Sequence, residues 1–142
     1  NALFKARTIW NKYGIACFSD DTGLEVDALG GAPGVISARY AGEAKDPQAN
    51  MDKVLSALDS AKKRSAQFRT AVALILDGKE FVFEGIVRGH IATERQGNKG
   101  FGYDPIFIPD GYDRSFAQMD NAEKNSMSHR GRAIAKLVDF LV

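Results

Sequence analysis

The sequence predicts a protein of mixed helices and strands, α/β or α+β in class. Three observations carry that prediction. Apolar residues recur at helical spacing near both ends of the chain and around residues 46–58. Two strand-like runs, residues 67–76 and 80–92, flank an Asp77-Gly78 pair that favours a two-residue hairpin turn. A short apolar run, IACF at 15–18, opens onto alternating apolar and acidic residues.

In order, residues 2–13 read as an amphipathic helix. Ala2, Leu3, Ala6, Ile9, Trp10 and Tyr13 form its apolar side, Lys5, Arg7 and Lys12 its polar side, and Gly14 its stop. Residues 15–19 read as a buried strand. Asp20, Asp21, Thr22 and Gly23 are placed where that strand gives way to a tight turn. Leu24, Val26 and Ala28 then alternate with Glu25 and Asp27 as a short half-wet strand, and residues 30–34 form a second turn. Asp46 and Pro47 are a helix start, a capping side chain followed by proline in the first turn. Met51, Val54, Leu55 and Leu58 mark that helix's buried face.

The hairpin follows, its first strand buried on both faces at its far end. Gly85 and Gly89 in its second strand indicate a bulge or a close backbone approach. Residues 94–105 are an irregular glycine-rich loop, residues 106–108 a short strand between prolines, and residues 110–120 a loop. A last helix begins near Ser128 and buries Ile134, Leu137, Val138 and Leu141.

Composition narrows the function. The 142 residues are 44% apolar and 26% charged, with a net charge of +1. That length makes one domain, and that balance provides no field for a nucleic-acid polymer or a membrane surface. A single cysteine, Cys17, allows no internal disulfide and fits a reducing, cytoplasmic setting. It lies in an apolar run and reads as a buried thiol. With two histidines beside it, no Cys/His metal cluster can form. The longest apolar stretch, residues 71–76, is too short to span a bilayer. The chain begins at Asn1 inside a helical pattern, so a preceding segment is expected.

Four clusters can carry chemistry. Asp20-Asp21-Thr22 offers carboxylates suited to a hard divalent cation, although Asp-Asp-Thr-Gly is equally ordinary turn chemistry. GNKGFGYDP at 97–105 sets Phe101 and Tyr103 between glycines, where rings can stack on a flat base or plug the core. Lys124, in EKN, can meet a phosphate or stand on a solvated surface. Ser128 can cap the last helix, whose first turn carries His129 and Arg130 against the helix dipole. That placement suits a ligand, or a neutral packed histidine.

Three segments, DDTGLEVDALGGAPGVISARYAG (20–42), GFGYDPIF (100–107) and AEKNSMSHRGRA (122–133), occur in the order found in the inosine triphosphate pyrophosphatase (HAM1-like) family. The chain resembles that family along its whole length, and NALFKA at 1–6 is similar to the family's first helix. The resemblance implies an α/β fold with a long, mixed, twisted sheet flanked by helices and a cleft between two lobes. It implies Mg²⁺-dependent hydrolysis of XTP, ITP and dITP to the monophosphate and pyrophosphate by a cytoplasmic homodimer. Carried over by position, Asp21 is the catalytic and metal-binding carboxylate, with Asp20 beside it as a second ligand. Thr22 lies against the substrate, and Lys5 and Lys124 touch the triphosphate. Phe101, Gly102, Tyr103 and Asp104 form the base pocket, and His129 and Arg130 read the base edge.

The family also has an N-terminal phosphate loop, T-x-N-x-x-K, and an acidic metal ligand before its first helix. Neither is found in this chain. Two other readings therefore stand beside the enzyme: a non-catalytic nucleotide-binding domain, and a Maf-like nucleotide pyrophosphatase with another base preference. Leu29, Val35 and Ile36 are candidates for a dimer interface.

Overall fold

A computed structural model describes residues 2–13 and 17–141, with the side chains of residues 4, 9, 10, 12, 13 and 17–20 outside the description. Four strands form one sheet in sequence order: β1 (Cys17–Val26), β2 (Ser65–Leu76), β3 (Lys79–Ile91) and β4 (Phe107–Pro109). Among the described residues every strand pairing is antiparallel. Four helices flank the sheet: α1 (Ala2–Tyr13), α2 (Pro47–Ala57), α3 (Asn121–Met127) and α4 (His129–Leu141). The helix-flanked α/β class is as expected.

The hairpin forms where Asp77-Gly78 indicates it. Asp77 has φ 52° and Gly78 φ 75°, the left-handed pair that matches strand twist. Residues 72–75 of β2 are buried, as expected of a strand covered on both sides. Alternation along β2 divides them. Ala73 and Ile75 pack under Ala2 and Ala6 of α1. Val72 and Leu74 pack under Ala133 and Leu137 of α4. Toward the other end of the sheet, Leu24, Val26, Phe68 and Val87 join Met51, Val54, Phe107 and Phe116 in the largest apolar cluster. Asp46 caps α2 by accepting from Gln48 N–H at 3.0 Å.

Several expectations need correction. Residues 20–23 are not a turn. They lie inside β1, in unbroken register from Cys17 opposite Ile75 to Val26 opposite Ala66. The two short strands expected on either side of them are thus one, and Asp27–Leu29 is a 3₁₀ turn rather than strand. Gly85 and Gly89 make no bulge, since β3 pairs continuously with β2. Their role is close approach: a Cβ on Gly85 would stand 1.9 Å from the His129 carbonyl, and one on Gly89 2.3 Å from that of Ile108.

Ile106 ends a 3₁₀ turn that precedes β4. The 110–120 loop contains a 3₁₀ turn at Phe116–Gln118 that buries Phe116 and Ala117. Helix α3 has no counterpart in the sequence reading; Asp120 caps it, accepting from Glu123 N–H at 2.8 Å. On α4 the buried stripe is Ala133 and Leu137, whereas Val138 and Leu141 are exposed. The first turn of the helix lays its backbone, the His129 carbonyl and the Ala133 amide, against Gly85. The thiol of Cys17 and the carboxylate of Asp20 lie outside the described residues.

Candidate functional site

The elements converge on one cavity of about 330 Å³, at the lower end of the ~300–1,000 Å³ usual for small-molecule sites. Strand β1 gives it Thr22, Gly23 and Leu24, and the 3₁₀ segment Gly34–Arg39 gives it Ser37 and Ala38. The glycine loop contributes residues 101–104, α3 Lys124 and Asn125, and α4 His129 and Arg130. Phe68 of β2 and Ser128, at the head of α4, complete the lining. The fold thus brings eight residues singled out in the sequence to one wall system: Thr22, Phe101, Gly102, Tyr103, Asp104, Lys124, His129 and Arg130.

The glycine loop is anchored. Lys99 N–H donates to the Ala117 carbonyl at 3.0 Å. A Cβ on Gly97 would stand 2.5 Å from that same oxygen, which explains a glycine there with φ 87°. The two rings behave differently. Phe101 is 75% exposed at the rim. Tyr103 is 6% exposed and donates its hydroxyl to the Ser37 carbonyl at 2.6 Å. Burial raises the Tyr103 pKa and keeps the phenol protonated. Only Phe101 offers an open ring, so the pair is divided between stacking surface and wall.

Beneath Phe101 lies a buried ion pair. Lys124 Nζ stands 2.5 Å from Asp104 Oδ2, with the side chains 13% and 5% exposed. The same oxygen accepts from Phe101 N–H at 3.1 Å, and the ammonium lies 4.6 Å from the Phe101 ring centre. Lys124 is therefore not a solvated surface residue. Its charge is met by a carboxylate and a ring inside the cavity.

His129 stacks on Phe68, with ring centres 4.7 Å apart and planes 21° from parallel. It is 8% exposed, and its Nδ1 has no hydrogen-bond partner among the described residues. Burial, with Lys124 and Arg130 adding repulsion, lowers its pKa to about 4. A neutral imidazole takes His129 out of the conflict with the helix dipole noted from the sequence and leaves Arg130 as the cation on that turn. Ser128 Oγ caps α4 by accepting from Gly131 N–H at 3.0 Å.

Asp21 and Lys5 stand outside the cavity lining. Lys5 Nζ of α1 lies 3.7 Å from Asp21 Oδ1, and the side chains are 53% and 33% exposed. Asp21 directly precedes Thr22, whose hydroxyl faces that of Thr70 at 2.8 Å. A carboxylate and an ammonium thus stand on the α1 side of β1, one residue along the strand from Thr22, which lines the apolar, ring-lined hollow. Among the described residues no group of three or more His, Cys, Asp or Glu could hold a metal ion. Asp21 is a partly exposed carboxylate. That fits Mg²⁺, which binds through one or two carboxylates together with substrate phosphates rather than in an all-protein cage.

Sequence reasoning missed Ser37 and Phe68. Phe68 is indistinguishable in sequence from any core residue of a strand. Ser37 carries a weak signal, a lone hydroxyl in the turn-rich GGAPGVISA run.

Comparison with known proteins gives consistent findings. The model of the Ham1 family matches residues 1–140. A dITP/XTP pyrophosphatase of Flavobacterium johnsoniae is 52% identical over 141 residues, spanning 99% of this chain and 73% of that protein. One from Porphyromonas gingivalis is 54% identical over 143 residues, spanning 100% of this chain and 74% of that protein. Among solved structures, the Staphylococcus aureus Ham1 protein matches with a TM-score of 0.96 at 42% identity, over 99% of this chain and 73% of that one. The chain spans about three quarters of the length of these relatives.

Proposed function

We propose that this chain, which belongs to the Ham1 family, hydrolyses the non-canonical purine nucleoside triphosphates dITP, ITP and XTP to the monophosphate and pyrophosphate. It is a hydrolase of phosphoric anhydrides that removes deaminated purines from the nucleotide pool. The observation that carries the reading is a ring-lined cavity bordered by Thr22, with the Asp21–Lys5 pair one residue along the same strand. The base enters the cavity and the phosphates run toward Asp21.

Each residue has a role that its surroundings support. Phe101, exposed at the rim, stacks on the base. Gly102 lets the loop turn there with φ 60°, Tyr103 backs the wall, and Asp104 holds the loop through Phe101 N–H and Lys124. Lys124 serves the nucleotide as a donor inside the cavity. Lys5 serves the phosphate chain outside it. Thr22 borders the substrate between them.

His129 and Arg130 meet the base edge. Arginine has donors only, so Arg130 can bond a 6-oxo group but not the 6-amino group of adenine. Arg130 is exposed in the free protein; once a bound base covers it, a donor left facing an amine costs about 1–3 kcal/mol, or about ten- to a hundred-fold against ATP.

Asp21 would hold a divalent cation, and we assign Mg²⁺ to that place; because residues 20 and 21 are consecutive in a strand rather than in the expected turn, the further ligands are left to the substrate phosphates and not to Asp20. When bound, the ion neutralises phosphate charge and makes water a stronger nucleophile. The Asp21 carboxylate also stands ready to accept a proton from attacking water. Lys5 places positive charge where the leaving pyrophosphate gains negative charge.

We take residues 1–142 as one pyrophosphatase domain, acting in the cytoplasm as a homodimer. Val35, 78% exposed, with Ile36 and Leu29 nearby in sequence, supplies apolar surface for a second copy. No helix among the described residues is long and apolar enough to cross a membrane.

Chromatography of the products tests the reaction. dITP and XTP should yield dIMP and XMP with one pyrophosphate each. A diphosphate plus inorganic phosphate would contradict the assignment. Arg130→Ala should lower kcat/KM for dITP about ten-fold or more relative to dATP. An equal loss for both nucleotides would place Arg130 on phosphate or structure.

A further inference from the structure

The edge of β1 turned away from β2 is met by the segment 30–39, not by a further described strand. Val26 N–H donates there to the Ala32 carbonyl at 3.0 Å. Leu24 N–H donates to Ser37 Oγ at 2.9 Å. The Ser37 hydroxyl gives its own proton to the Gly34 carbonyl at 2.6 Å. Gly23 makes this docking possible, because a Cβ there would stand 2.7 Å from the Gly34 oxygen.

On its other side, the Ser37 carbonyl accepts the Tyr103 hydroxyl at 2.6 Å. Ser37 is 7% exposed and lines the cavity. One buried residue therefore joins the strand that carries Asp21 and Thr22 to the loop that carries Phe101. The two ends of the site belong to segments about eighty residues apart, and these bonds directly span them.

We propose that Ser37 is a positioning residue. Acting through Leu24 and Tyr103, it fixes the span between the Asp21 end of the site and the Phe101 loop, and so sharpens which base the cavity accepts. The inference rests on the nucleotide reading above. Its physical basis is that donors and rings discriminate between bases only when held at fixed separation. A wall free to shift lets a wrong base find partners while its phosphates stay at Asp21.

Two variants test it. Tyr103→Phe removes only the hydroxyl that reaches Ser37. Ser37→Ala removes the acceptor of Leu24 N–H. Two readouts are taken: kcat/KM for dITP and dATP, and exchange of the Leu24 amide followed by NMR in the free protein. The dITP/dATP ratio should fall about five- to ten-fold in each variant. Leu24 exchange should quicken in both, and the double variant should fall no further than the more affected single one.

Loss of both activities by one common factor would reduce Ser37 to a structural residue. Unchanged Leu24 exchange in Tyr103→Phe would overturn the coupling. If Ser37→Ala does not fold, Tyr103→Phe alone decides between these results. If the unmodified protein releases no pyrophosphate, the nucleotide reading fails, and the exchange readout still settles whether Tyr103 and β1 are coupled through Ser37.

Discussion

Asp21 combines exposure with a partner that contributes little to folding. Its contact with Lys5 is 3.7 Å long and lies at the surface, where an ion pair is worth at most about 1 kcal/mol. Asp21→Asn keeps the shape and removes the charge. It should lower kcat at least about a hundred-fold while leaving the thermal midpoint nearly unchanged. Steady-state kinetics and a thermal melt on one preparation check both, and full activity in the variant would remove Asp21 from its role.

His129 gives a second expectation at this scale. Its pKa is about 4 in the folded protein against 6.5 ordinarily. Above pH 6.5 both folded and unfolded states are mostly neutral, and the group contributes no slope. Between those values the unfolded chain takes up a proton that the native state excludes. Stability is therefore lost as pH falls, by up to about 1.4 kcal/mol per unit. Below about pH 4 the native state protonates too and the slope levels. Urea unfolding across this window should show the slope in the native protein and its loss in His129→Asn. Parallel curves for the two proteins would mean that His129 is accessible to protons when folded.

At the scale of elements, glycines decide where α4 and the segment 34–39 can sit. Gly85 faces the His129 carbonyl, the Ala133 amide and the Arg132 Cβ, all within 2.9 Å of where a Cβ would be. Gly85→Ala must push the first turn of α4 off the sheet. It should cost about 1–3 kcal/mol and raise KM, because His129 and Arg130 stand on that turn. A melting curve with substrate titration tests this, and an unchanged KM would show that α4 does not set the base edge.

The same elements show what was legible in the sequence. The hairpin, the Asp46 cap and the helix over Ala2–Tyr13 are local chemistry, and each was readable. Gly23 beside two aspartates imitates a turn, but its glycine is needed for contact with Gly34, eleven residues on. Helix α3 has seven residues and none fully buried, so no apolar period announces it. Tyr103 and Phe101 are equivalent in sequence. Only packing against Ser37 buries one and leaves the other open.

Across the whole molecule, the sheet is a partition with different tasks on its two faces. Alternate residues of β2 bury α1 on one side and α4 on the other. The helix bearing Lys5 and the helix bearing His129 and Arg130 are thereby held at fixed positions about one short strand segment. The large cluster around Phe68, Phe107 and Phe116 underlies the cavity and stacks Phe68 against His129. On the proposed reading, substrate selection belongs to the cavity, and charge handling belongs to Asp21 and Lys5 at the neighbouring position of β1. That division is the central claim. It is tested most directly by pyrophosphate release from dITP and XTP, set against dATP and dGTP, with Mg²⁺ and with a chelator. The account predicts release that needs the cation and favours the 6-oxo deaminated bases by about ten-fold or more over dATP. Equal turnover of dITP and dATP, or release undiminished by the chelator, would contradict it.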